Sequence, residues 1–249
     1  MNPAFWLTVL TLMHREIIRF WREKGRVLGF VGSPLIFWLV IGSGFGNLRF
    51  FFPGALALTV MFSAVFSTMS LIEDRREGFL LSMLVSPAPR SAVVYGKVLG
   101  SATLAWLQGL IFLAFAPLTG ARPSVGEILL LAVAIYVMSF TFTALGFLIA
   151  WRMDSTQGYH AIINLLLLPL WMVSGALFPM EGAHGWMRVV MRLNPVTYAL
   201  APIQRLLDGR VTAETPPLAA SLLITAGTGL VLWIASAILV NRPSARNAG

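Results

Sequence analysis

Three groups of residues in this chain stand at spacings that could do chemistry. His160 and Asn164 are four apart, so on a helix they share one face and could form a hydrogen-bonded pair. A serine protease buried in a membrane could use such a pair, but it also needs a nucleophile activated by a base. No G-x-S-G occurs, and the other histidines, His14 and His184, lie outside the apolar runs. Gly96-Lys97 looks like the end of a phosphate-binding loop, yet both the glycine five residues earlier and the magnesium-binding hydroxyl are missing. Scattered histidines without H-E-x-x-H spacing, in a chain with no cysteine, leave no zinc site and no disulfide. The third group is different in kind. Glu73, Asp74, Arg75, Arg76 and Glu77 form a charged run followed by Phe79, Leu80, Met83 and Leu84, which is the chemistry of recognition rather than catalysis.

The elements that position these groups follow from composition. Of 249 residues, 57% are hydrophobic and 11% charged, against roughly 25% charged in a soluble domain. A soluble globule could not hide that much apolar surface, so the chain reads as an all-α integral membrane protein. Runs free of Asp, Glu, Lys and Arg cover 27–48, 50–72, 98–121, 128–151, 155–180 and 215–241. Each is long enough for the ~20 residues that a helix needs to cross the hydrocarbon core. Unpaired backbone groups have no water partners there, so six transmembrane helices in a single domain, 1–249, are predicted.

The net charge of +8 is not distributed evenly. With the N-terminus inside, Arg15, Arg19, Arg22, Lys24, Arg26, Arg75, Arg76, Arg90, Lys97, Arg152, Arg242 and Arg246 are cytoplasmic. Only Arg49, Arg122, Arg188, Arg192, Arg205 and Arg210 are outside. This pattern predicts a multi-pass protein of the cell (inner) membrane with both termini cytoplasmic, and it argues against nucleic acid as the reason for the basic balance. His160 then falls near the cytoplasmic interface, with Asn164 placed to hydrogen-bond between helices.

Three connecting segments have their own pattern. In 1–25, Trp6, Leu10, Met13, Ile17 and Phe20 or Trp21 recur at helical spacing opposite Thr8, Thr11, Arg15 and Arg22, as in an interfacial amphipathic helix. No small-residue cleavage site follows, so this is not a signal peptide. In 73–97 the charged run and apolar set form a short helix ended by Pro87 and Pro89. Spacing alone leaves open whether it docks on a partner or lies on lipid headgroups. In 181–212, Trp186, Val189, Val190 and Leu193 precede the breaker Asn194-Pro195, and Leu200, Ile203, Leu206 and Leu207 follow it. That pattern predicts two short external or re-entrant helices.

Six spans without a carboxylate argue against ion-coupled transport, so any energy must come from another polypeptide. Two stretches then carry a resemblance. EDRREGFLLSMLVSPAPRSAVVYGK holds Glu77, Gly78, Leu84, Ser86, Pro87, Gly96 and Lys97, with Phe79 where a threonine is usual. WMVSGALFPMEGAHGWMRVVMRLNPVTYALAPIQRLL holds Ser174, Gly175, Phe178, Pro179, Leu193, Asn194, Pro195 and Tyr198. In this order and within six spans, the chain resembles the permease subunit of an ABC-2 type ATP-binding-cassette exporter.

The resemblance implies a dimer, a homodimer or a pair of similar chains, with one ATP-binding subunit on the cytoplasmic face of each copy. No cofactor belongs to this chain, since Mg-ATP sits on the partner ATPase. The segment after Glu77 becomes a coupling helix, with Arg75, Arg76, Glu77, Gly78, Phe79, Leu80, Met83, Leu84, Ser86 and Pro87 as its contact residues. The N-terminal helix becomes a connecting helix beside it. Pro169, Trp171, Met172, Ser174, Gly175 and Phe178 become candidates for the substrate path of a hydrophobic or amphipathic cargo: drug-like, lipid or lipid-linked glycan. The rival reading is an intramembrane enzyme such as a rhomboid-like protease, resting on His160 and Asn164.

Overall fold

A computed structural model describes residues 3–22, 24–85, 89–207 and 214–241. Ser86, Pro87, Arg210, Arg242 and Arg246 lie outside them, as do the side chains of Phe20, Trp21, Lys24, Arg26 and Leu84. The described residues form helices and turns, in the order α1 (Pro3–Arg22), α2 (Lys24–Gly44), α3 (Leu48–Ser67), α4 (Ser70–Arg76), α5 (Phe79–Leu84) and α6 (Arg90–Leu113). Then come α7 (Val125–Ala150), α8 (Thr156–Trp171), α9 (Gly185–Leu193), α10 (Pro195–Leu207) and α11 (Leu218–Asn241).

Five helical stretches are long and apolar enough to cross a membrane: Leu48–Arg76, Arg90–Leu113, Val125–Ala150, Thr156–Ala176 and Leu218–Asn241. In α2 the apolar stretch among described side chains is shorter, Gly32–Gly44. The helix ends match local chemistry. Asn47 accepts from the Phe50 backbone N–H and starts α3. Ser124 and Glu127 form a reciprocal capping box at α7. Ser155 caps α8 through the Gly158 N–H.

The helix α3 is the hub, packed against α2, α6, α7, α8 and α10. Of its apolar window 83% is buried within the chain, against 22% for α11 at the periphery. Trp38 of α2 is sealed between Phe52 and Phe112, and its indole N–H donates to the Leu48 carbonyl at 2.8 Å. One boundary departs from expectation. Cutting spans at charged residues started the third at 98, but α6 begins at Arg90 and carries Lys97 inside it. A lysine ends a span only if its charge must reach water, and this one does not.

Candidate functional site

At one end of the bundle, α1, α4 and α6 meet around buried charge. Glu16, Asp74 and Lys97 are each at most 3% exposed. The Lys97 ammonium donates to Glu16 Oε1 at 2.6 Å, to Ser70 Oγ at 3.1 Å and to Asp74 Oδ2. Ser70 donates its own hydroxyl to Glu16 Oε2. From the solvent side, Arg15 grips Asp74 with two N–H groups, at 2.8 and 3.1 Å. Arg19 bridges Asp74 at 3.2 Å and Glu73 at 2.5 Å. Three carboxylates thus face three cations. Isolated buried charges cost several kcal/mol each, and only such complete pairing makes the cluster tenable.

Backbone packing makes the cluster possible. A Cβ on Gly96 would sit 2.7 Å from Leu12 Cβ, and one on Gly100 would sit 3.1 Å from Met13 Cα. Those two bare positions let α1 lie against α6, bringing Glu16 within reach of Lys97. The amphipathic reading of α1 was therefore half of its pattern. Trp6 and Leu10 do face outward, while Val9, Leu12 and Glu16 form a second, buried face. Sequence reasoning missed Glu16 and Lys97 as site residues. The available signal was a glutamate in helical register with Val9 and Leu12, together with the Gly96-Lys97 pair.

The residues expected to contact a partner divide sharply. Arg75 donates to the carbonyls of Trp151 and Met153, at 2.6 and 2.7 Å, and to Asp154 at 3.1 Å. Arg76 donates to the Asp154 carbonyl at 3.0 Å. Both arginines thus tie α4 to the α7–α8 turn. Glu77 caps α4 and is exposed, and Gly78 turns the chain at φ +76° into α5. On α5, Leu80 is buried, Phe79 and Met83 pack toward the core, and the Arg15 guanidinium sits 3.9 Å over the Phe79 ring. The expected apolar anchors Phe79, Leu80 and Met83 therefore hold α5 to its own chain. The apolar side chains it presents outward are Leu81 and Val85, 66% and 75% exposed.

At the opposite end the described residues hold no buried charge cluster. Pro169 has no N–H to continue the helical ladder, and α8 passes into a π-turn over Met172–Ala176, with Gly175 at φ +96°. The carbonyls freed there find side-chain donors. Asn194 Nδ2 donates to Leu170 at 2.6 Å, Gln204 Nε2 to Gly175 at 3.0 Å and Ser174 Oγ to Trp171 at 2.7 Å. The Trp171 indole N–H reaches across to the Gly54 carbonyl of α3 at 2.8 Å.

Asn194 also accepts from the Val196 N–H, so the Asn-Pro pair ends α9 and opens α10 together. Pro195 and Leu193 are exposed, and Tyr198 O–H donates to the Arg192 carbonyl. Of the residues expected on a substrate path, Trp171, Ser174 and Gly175 are buried in their own chain, whereas Pro169, Met172 and Phe178 are exposed. Glu214 accepts from Arg192 at 2.7 Å and faces Arg188. That hydrogen bond, with the charge of both arginines, holds its carboxyl below the usual glutamate range.

His160 and Asn164 are both exposed on α8, one turn apart and in register with Gln157. The His160 ring packs 4.6 Å from Phe66. Among the described residues neither His160 nor Asn164 has a side-chain hydrogen bond, and the Asn164 face of α8 points away from the bundle. No cluster of metal-ligating side chains occurs among the described residues.

With this geometry in place, comparison with known proteins is informative. The profile of the ABC-2 type transporter family matches residues 8–206, from α1 to the end of α10. The ycf38 transport permease of Cyanophora paradoxa is 26% identical over 210 residues, covering 79% of this chain and 72% of that one. The daunorubicin resistance ABC transporter permease DrrB1 of Streptomyces coeruleorubidus is 28% identical over 217 residues, 80% of this chain and 75% of that one. Nodulation protein J of Rhizobium leguminosarum bv. viciae is 23% identical over 226 residues, 85% and 86% of the two chains.

Proposed function

The chain belongs to the ABC-2 type transporter family as a membrane transport subunit, and on that premise we propose that it is the permease of an ATP-driven exporter. A separate ATP-binding subunit holds Mg-ATP and docks on the α4–α5 end, which is cytoplasmic. The observation that carries this reading is the construction of α5. It is a short helix anchored from behind by Leu80, Phe79 and a compensated charge cluster, with Leu81 and Val85 left outward beside the exposed Glu77. An apolar pair on a rigid mount suits a groove on a partner. Arg75 and Arg76 act from inside, by passing movement of α4 to the α7–α8 turn.

In this reading α2 completes a set of six spans, both termini are cytoplasmic, and the protein resides in the cell (inner) membrane. Two copies pair along the outward face of α8. Gln157, His160 and Asn164 form a polar stripe there, followed by Leu165, Leu168 and Met172. Polar side chains at membrane depth belong against protein or a wet path rather than lipid. That stripe and the exposed Phe178 border the route of a hydrophobic or amphipathic cargo, a drug-like compound or a lipid. The likeness to the daunorubicin resistance permease DrrB1 favours the drug-like class. ATP-driven closure of the two ATPase subunits pulls both α5 mounts together and shifts the population between two arrangements of the copies.

The test is affinity co-purification with the ATP-binding subunit. Leu81→Asp with Val85→Asp should abolish the complex while the permease still inserts and melts as before. A complex that survives both charges overturns the docking surface.

A further inference from the structure

The π-turn end encloses a cavity of about 270 Å³, bounded by Phe50 of α3, Ser174 and Gly175 of the turn, Met180, Thr197 and Gln204 of α10, and others. Its polar lining has a consistent sense. Ser174 gives its proton to the Trp171 carbonyl, so the oxygen is left to accept. Gln204 gives one of its two amide N–H groups to Gly175, and its carbonyl oxygen is left to accept. Glu181 is exposed, lines the cavity and makes no ion pair among the described residues. Thr197 is 3% exposed, and its hydroxyl has no hydrogen-bond partner among the described residues. A buried hydroxyl left unpaired is costly, so it marks a place where a partner fits. Arg205 is not part of the lining, and its Nε–H and one Nη–H are held by the Pro216 and Thr215 carbonyls.

A cavity lined by a carboxylate, free side-chain oxygens and an aromatic ring suits a donor with positive charge and an apolar body. We propose that this cavity binds the ammonium end of an amphipathic amine, with Glu181 as counter-charge, Thr197 as hydrogen-bond partner and Phe50 with Met180 as the apolar wall. Drug-sized pockets begin near ~300 Å³, so it holds a headgroup fragment, not a whole cargo molecule. The proposal deepens the transport reading and rests on it for the amine's role as cargo.

The test uses the full permease with its ATP-binding subunit in lipid nanodiscs and three probes of one shape: phenethylamine, phenethyl alcohol and phenylacetate. Titration calorimetry should give the amine a Kd about tenfold below that of the alcohol, with no binding of phenylacetate. Glu181→Gln should erase the preference for the amine. Thr197→Val should weaken the amine several-fold while leaving the melting temperature equal or higher, since its hydroxyl has no partner to lose. Equal affinities for the three probes, or an unchanged preference in Glu181→Gln, overturn the site. ATP-dependent export from inside-out vesicles is read separately. Export without amine preference overturns this site and leaves the transport reading; amine binding without ATP-dependent movement does the reverse.

Discussion

The two ends of this bundle solve the same problem with opposite chemistry. At the α4–α5 end, three elements far apart in the chain are joined by ions: Glu16, Asp74 and Lys97 in the interior, Arg15 and Arg19 over them. At the π-turn end, the joints are neutral amides and a hydroxyl given to carbonyls in and beside the turn, and an indole given to the Gly54 carbonyl of α3. A compensated ion cluster resists separation, because pulling one member away strands the others in low dielectric. Carbonyls with single neutral partners can exchange donors at small cost. The first end is built to move as one body, and the second is built to rearrange locally.

The sharpest way to break the comparison is Lys97→Met. Removing the ammonium leaves Glu16 with only Ser70 and a marginal 3.8 Å contact to Arg15. Thermal unfolding in detergent should show a loss of about 3–5 kcal/mol. Adding Glu16→Gln should recover much of it, and a double variant as unstable as the single would mean that charge compensation is not what holds this end.

At the π-turn end the same measurement on Asn194→Ala should show a smaller loss, about 1–2 kcal/mol, for one carbonyl unpaired and one helix start uncapped. A loss equal to that of Lys97→Met would erase the contrast.

The smallest effect belongs to the exposed Glu214–Arg192 pair. Its depressed carboxyl pKa contributes stability that is present above the ordinary glutamate value of 4.5 and is lost as pH falls through the folded value. The difference in melting temperature between wild type and Arg192→Ala should therefore be slight at neutral pH and vanish in acid. A gap that persists in acid would assign Arg192 to packing instead.

How much was legible beforehand depends on range. The long apolar helices could be read directly, since a run without charge has no alternative to a helix in hydrocarbon. The Asn194-Pro195 break and the two amphipathic pieces around it could be read from local spacing. The inward turn of Leu80 and Phe79 could not. A six-residue helix such as α5, apolar except for Ser82, carries little sign of which of its apolar side chains turn inward. Arg75 likewise reads as a free cation until the Trp151–Asp154 turn is placed beside it, 76 residues along the chain.

The charged residues show best where the division lies. Their scarcity determined the class of protein. Their meaning was decided only in three dimensions. Lys97 looked like the edge of a span, and Glu16 stood outside every predicted site. Folding sets them 2.6 Å apart with Asp74 beside them. Local pattern reports whether a side chain can leave water, whereas the partner that lets a charge do so is supplied by tertiary packing.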